Sequence, residues 1–180
     1  MSTTVSTASQ GLLPYVPRLL MRWSPTGDDP RHMRIRGTLA FVDISGFTKL
    51  TERLARKGKV GAEEMSDILS ATFAGLLTEA RADGADLVKW GGDAVLLLFQ
   101  GPDHALRAAR SAYRMRAALR TIGHLNTTSG AVTLRMSMGI HSGDFDFFLV
   151  GDPTIHRELL ISGPGASVTA DLPGLSLIHI

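Results

Sequence analysis

The chain has 180 residues, 44% hydrophobic and 20% charged, a balance that suits one globular domain with a real core and excludes a disordered chain. Lys and Arg number 19 against 17 Asp and Glu, a formal charge of +2 that leaves no nucleic-acid footprint, and the absence of cysteine excludes disulfides and thiolate metal sites. No run approaches the ~18 apolar residues of a membrane span, and no charged flank leads into an apolar stretch at the N-terminus, so a cytoplasmic location is expected.

Met1 to Gln10 is rich in Ser and Thr and reads as disordered. Gly11 to Trp23 reads as a short amphipathic helix, with Pro14 and Pro17 near its start. Ser24 to Arg34 is a linker, and a domain is expected from Arg36. Thr38 to Asp43 is a short apolar run ending in an acid, the pattern of a buried strand. Ser45-Gly46 turns the chain into a helix over Phe47 to Lys57, and a second helix is predicted over Ala62 to Ala82. Asp86 to Trp90 and Ala94 to Phe99 predict a hairpin with Asp93 at its tip. A helix from Pro102 to Arg120 and a loop at Asn126 to Gly130 follow. Strands are expected over Val132 to His141, Asp144 to Val150 and Glu158 to Ile161, with a last helix over Gly163 to Ala170. The order β-α-α-β-β-α-β-β-β predicts an α+β domain with helices on one face of a sheet.

Three segments carry chemistry. In Phe41-Val42-Asp43-Ile44-Ser45-Gly46-Phe47-Thr48 an acid at a strand's end meets a glycine turn and a helix start, whose free amides suit phosphate. A carboxylate there suits Mg²⁺, while the plainer reading makes Asp43 or Ser45 a helix cap. In Lys89-Trp90-Gly91-Gly92-Asp93-Ala94-Val95 an acid sits at a hairpin tip. If the strands are neighbours, Asp43 and Asp93 face one another and call for a cation between them; the plainer reading is an ordinary Gly-Asp turn. In Leu134-Arg135-Met136-Ser137-Met138-Gly139-Ile140-His141-Ser142-Gly143, Arg135 interrupts an apolar strand. It is read either as a triphosphate contact or as half of a solvent-face salt bridge. His141 reads as a packed histidine at the strand's end, not a metal ligand.

FVDISGFTKL, KWGGDAVLLLF and LRMSMGIHSG, in this order and with Asp93 50 positions after Asp43, resemble the class III adenylyl/guanylyl cyclase catalytic domain. The resemblance covers Leu12 to Leu172 and is greatest to the first cyclase domain of soluble bicarbonate-responsive adenylyl cyclases. It implies a ferredoxin-like antiparallel-sheet cyclase fold, β-α-α-β-β-α-β, truncated at its C-terminus. Residues 1–35 are then a lead-in, 36–172 the catalytic domain, and 173–180 a tail that is foreign or truncated.

The resemblance also implies an activity: ATP converted to cyclic AMP and pyrophosphate, at an interface between two cyclase domains. Asp43, Asp93 and the backbone carbonyl of Ile44 match the ligands of two Mg²⁺ or Mn²⁺ ions. Ser45, Gly46, Phe47, Thr48 and Arg135 match phosphate contacts. Lys89 matches a base-reading or regulatory-anion lysine. The chain departs from the family pattern where the base partner aligns with Leu160, where the transition-state Asn aligns with Ser167, and where the Arg aligns with Asp171, or with Ala170 if the register shifts by one. A complementary cyclase domain, in the same native chain or as a homo- or heterodimer partner, is therefore expected to supply those groups, and the isolated piece is expected to be inactive. The alternatives are a non-catalytic nucleotide-binding regulatory module, a guanylate cyclase, and a diguanylate cyclase suggested by the GGDAV turn.

Overall fold

A computed structural model describes residues 16–23, 30–152 and 154–171. The expected disordered start, most of the linker and the 173–180 tail lie outside them. A five-residue helix α1 (Arg18–Arg22) precedes strand β1 (His32–Ser45), which runs into α2 (Phe47–Ala55) and the long α3 (Lys59–Ala82). The hairpin β2 (Asp86–Gly91) and β3 (Ala94–Gln100) leads to α4 (His104–Ile122). A small hairpin β4 (His124–Thr127) and β5 (Gly130–Thr133) is followed by β6 (Arg135–Asp152), β7 (His156–Ser162) and α5 (Pro164–Asp171). The main sheet has five strands in the order β2-β3-β1-β6-β7, and every pairing is antiparallel.

Strand alternation divides the core in two. Ala40, Val42 and Ile44 of β1 and Val95, Leu97 and Phe99 of β3 pack under α2, α3 and α4. Ile35 and Leu39 point the other way, toward Leu98, Phe145, Phe147, Leu149 and Leu159. Two helices sit on this second face, so the expected one-sided layer is corrected. Leu19 of α1 is buried there and Ala166 of α5 packs against it. The lead-in is held by a distant acid: Asp86 accepts from the amides of Arg18 at 2.9 Å and Leu19 at 2.7 Å.

Three boundaries differ from expectation for physical reasons. β1 begins at His32, inside the predicted linker, because its charges are matched across the sheet. His32 and Arg34 both contact Asp146, and Arg36 lies 3.8 Å from Asp144. Of the two strands predicted over 132–150, the first two residues belong to β5 and the rest form one strand from Arg135, because β1 is long enough to pair from Ser45 against Arg135 to His32 against Phe148. The loop predicted at Asn126 to Gly130 is largely a hairpin. Its tip is tied to α3, where Glu64 accepts from the Thr128 amide at 2.9 Å.

Candidate active site

Val42 and Ile44 are fully buried under the helices, so alternation turns Asp43 and Ser45 to the opposite face at the end of β1. Gly46 then takes φ +109, which a residue with a side chain rarely adopts; a Cβ there would meet the Thr133 carbonyl oxygen at 3.2 Å. The first intrahelical bond of α2 runs from the Leu50 amide to the Gly46 carbonyl at 3.2 Å. The amides of Phe47, Thr48 and Lys49 precede it, and no side chain caps them. Neither Asp43 nor Ser45 is therefore a helix cap. The open amides present the positive end of the helix dipole to an anion.

The β2–β3 hairpin has a two-residue tip, Gly92-Asp93, with Gly91 paired to Ala94. Gly92 has φ +66 at the first central position, where glycine is favoured. The Trp90 indole donates to the Gly92 carbonyl at 3.0 Å, and its ring lies 4.5 Å from that of Phe73. β3 pairs with β1 so that Asp43 is opposite Ala94, and the Ile44 amide donates to the Asp93 carbonyl at 3.1 Å. Two acids distant in sequence thus reach one place. Burial first, and then the Asp93 charge, push the Asp43 carboxyl above its ordinary range.

Neither acid has a Lys or Arg ion-pair partner among the described residues. A pair of unneutralised carboxylates suits a hard divalent cation. No third His, Asp or Glu joins them among the described residues. The pair fits a metal only as part of a shared coordination sphere, completed by backbone or ligand oxygens.

Arg135 opens β6 directly opposite Ser45, and Ser137 lies opposite Asp43. Cross-strand partners share a face, so Asp43, Ser45 and Arg135 line one side of the sheet. Arg135 is exposed and makes no salt bridge among the described residues, which removes the plainer reading of it. Thr48 is exposed on the first turn of α2. His141 packs edge-on against Phe145 with centroids 6.1 Å apart and lies under Gly165, the packed role expected of it.

Lys89 lies apart from this group and has a partner of its own: its Nζ donates to Glu158 Oε1 at 2.7 Å. Leu160, aligned with the base partner, is 39% exposed on β7. Ser167 is exposed on α5, and Asp171 ends that helix with its side chain outside the described set. A hollow of about 900 Å³ between α1, α3 and β2 borders Lys89 and Trp90 but neither Asp43 nor Asp93. Sequence reasoning missed Glu158 and Asp86. Each is joined to its partner across more than sixty residues with no spacing signal, Glu158–Lys89 by 69 and Asp86–Leu19 by 67.

The adenylate and guanylate cyclase catalytic domain family matches residues 34–159 of this chain, more than half of it. The chain belongs to that family. The cyclase domain is 29% identical to human adenylate cyclase type 10 over 131 residues, covering 71% of this chain and 8% of the relative. It is 29% identical to a membrane guanylyl cyclase of Dictyostelium discoideum over 151 residues, 79% of this chain and 9% of that protein. The chain thus spans only 8% to 9% of the length of these curated relatives. A bacterial light-regulated adenylyl cyclase superposes with a TM-score of 0.76 at 19% identity, over 94% of this chain and 48% of that one. An adenylyl cyclase from P. aeruginosa gives 0.65 at 23% identity, over 81% and 74%. At these identities the structures bear out the expected α+β cyclase fold alone. The family match also favours the class III pattern over the diguanylate cyclase alternative.

Proposed function

We propose that this chain is the metal-binding half of an adenylate cyclase site that a second cyclase domain completes. The observation that carries the reading is the convergence of Asp43 and Asp93 beside the uncapped start of α2. In this reading the two carboxylates and the Ile44 carbonyl hold two Mg²⁺ or Mn²⁺ ions. When bound, the ions would help deprotonate the ribose 3′-hydroxyl and offset charge on the leaving pyrophosphate. The amides around Gly46 and Phe47, the hydroxyls of Ser45 and Thr48, and the Arg135 guanidinium hold the triphosphate in line. The 3′-oxygen then bonds to the α-phosphorus as the bond to pyrophosphate breaks. ATP as substrate is supported by the likeness to adenylate cyclase type 10. A guanylyl cyclase among the relatives keeps GTP as the substrate to test beside it.

The partner is inferred from what this chain lacks. Ser167 and Asp171 stand where the resemblance requires an Asn and an Arg, and an acid there would repel the charge that develops on the phosphoryl group. The acid pair, half-buried, also lies on a shelf outside the hollow beside β2. The same departures favour a second reading, a nucleotide-binding module without turnover. Mixing this chain with a cyclase domain that carries the Asn/Arg pair separates the two. Cyclic AMP formation that disappears in Asp43→Ala and in Asp93→Ala is the expected result. Metal-dependent ATP uptake without turnover in any pairing would favour the module, and no metal-dependent uptake at all would remove both.

A further inference from the structure

The hairpin tip that carries Asp93 has little packing of its own. A Cβ added to Gly91 or to Gly92 would meet nothing within 4 Å beyond its chain neighbours. Apart from strand pairing, two hydrogen bonds hold the tip among the described residues. The Ile44 amide donates to the Asp93 carbonyl at 3.1 Å, and the Trp90 indole donates to the Gly92 carbonyl at 3.0 Å. Trp90 is 48% exposed, yet its ring leans on Phe73 of α3, with centroids 4.5 Å apart and planes at 51°. Phe73 in turn stacks on Phe47, at 6.1 Å and 18°. Both phenylalanines are buried, and Phe47 opens α2 with the first of its uncapped amides. A row of rings thus runs from the hairpin of Asp93 to the helix start that faces phosphate.

We propose that Trp90 is a positioning residue: through Phe73 and Phe47 it sets the Asp93 hairpin against α2, so that the metal acid and the phosphate amides keep one fixed spacing. The inference rests on the reading of Asp43 and Asp93 as metal ligands. A carboxylate on a bare two-residue turn samples many positions, and a cation shared by two acids binds only where both are within reach. The indole supplies the restraint that the turn lacks. Its face packs on a buried ring, and its N–H fixes the carbonyl one residue before Asp93. Phenylalanine at this position would keep the ring contact and lose only the hydrogen bond. Alanine would lose both.

The test compares the full 180-residue chain with Trp90→Phe and Trp90→Ala in ATP uptake titrated with Mn²⁺, below the melting temperature of each. Trp90→Ala should need about fivefold more Mn²⁺ for half-maximal uptake, the scale of one aromatic pair, and saturating Mn²⁺ should restore uptake in full. Trp90→Phe should stay within about twofold of the unaltered chain. Residue-level hydrogen exchange on the metal-free chain gives a second readout. The Ile44 amide, bonded to Asp93, should exchange about fivefold faster in Trp90→Ala, while the Leu149 amide, bonded to Arg31 at the far end of β6, should not change. An unmoved Mn²⁺ midpoint in Trp90→Ala would overturn the proposal. So would a Trp90→Phe chain as impaired as Trp90→Ala, or equal acceleration at Ile44 and Leu149, the mark of a general loosening. Absence of Mn²⁺-dependent uptake in the unaltered chain would instead sink the cyclase-site reading. The exchange rates, which need no metal, would then still decide whether Trp90 holds the hairpin.

Discussion

Asp43 occupies a half-buried position that costs the metal-free protein something. Its carboxyl is pushed up by burial and by Asp93, so the neutral form is favoured in the fold. The sign follows: its contribution to stability is present below the ordinary carboxylate range and is lost as pH rises through the raised value. Because Asp146, Glu64, Asp152 and Glu158 are shifted the other way, the trend is read as a difference: the stability of the metal-free chain minus that of Asp43→Asn should fall between about pH 4 and 8, and Mn²⁺ should reverse it by favouring the ionised form. Asp43→Asn should keep the fold and abolish manganese-dependent nucleotide uptake. Arg135→Ala should weaken nucleotide uptake roughly tenfold, the loss of one charge-assisted contact, with no change in melting temperature. At this scale the sequence was informative because Asp43, Gly46 and Asp93 each sit in a short pattern with its own chemistry. Glu158 was not readable, because its partner is set by the curl of a sheet and not by spacing.

Elements here are joined by close backbone approaches that only glycine permits. Gly61, in the first turns of α3, would place a Cβ 1.9 Å from the Leu54 carbonyl oxygen of α2. Gly61→Ala should therefore separate the two helices and destabilise the chain by about 1–3 kcal/mol, seen as a lower melting temperature. Gly91 has nothing within 4 Å of such a Cβ, and Gly91→Ala should shift stability by no more than about 0.5 kcal/mol. Helix existence was legible from periodicity, as in the α3 set Phe73, Leu76, Leu77 and Ala80 that is buried on one side. Strand extent was not. His32 to Arg36 reads as charged linker until Asp144 and Asp146 are seen opposite, and β4–β5 is too polar to signal a hairpin without Glu64 holding its tip.

Across the whole molecule, the residues proposed to hold metal and phosphate gather at one end of β1, β3 and β6, while α5 carries neither the Asn nor the Arg that the proposed reaction calls for. The 180-residue chain alone should bind nucleotide with Mn²⁺ yet form no cyclic AMP above background, as measured by product release. Robust turnover by the chain alone would show that α5 had been misaligned with the Asn and Arg positions. The family was legible because three motifs fall in order; the proposed asymmetry rests on setting Ser167 and Asp171 against that family. The Asp86 clamp carries a last consequence. Its carboxylate grips the amide end of α1 while its backbone starts the strand that runs through Lys89 toward Asp93. The lead-in and the hairpin are thus tied through one residue, by a link that does not run through the helical layer.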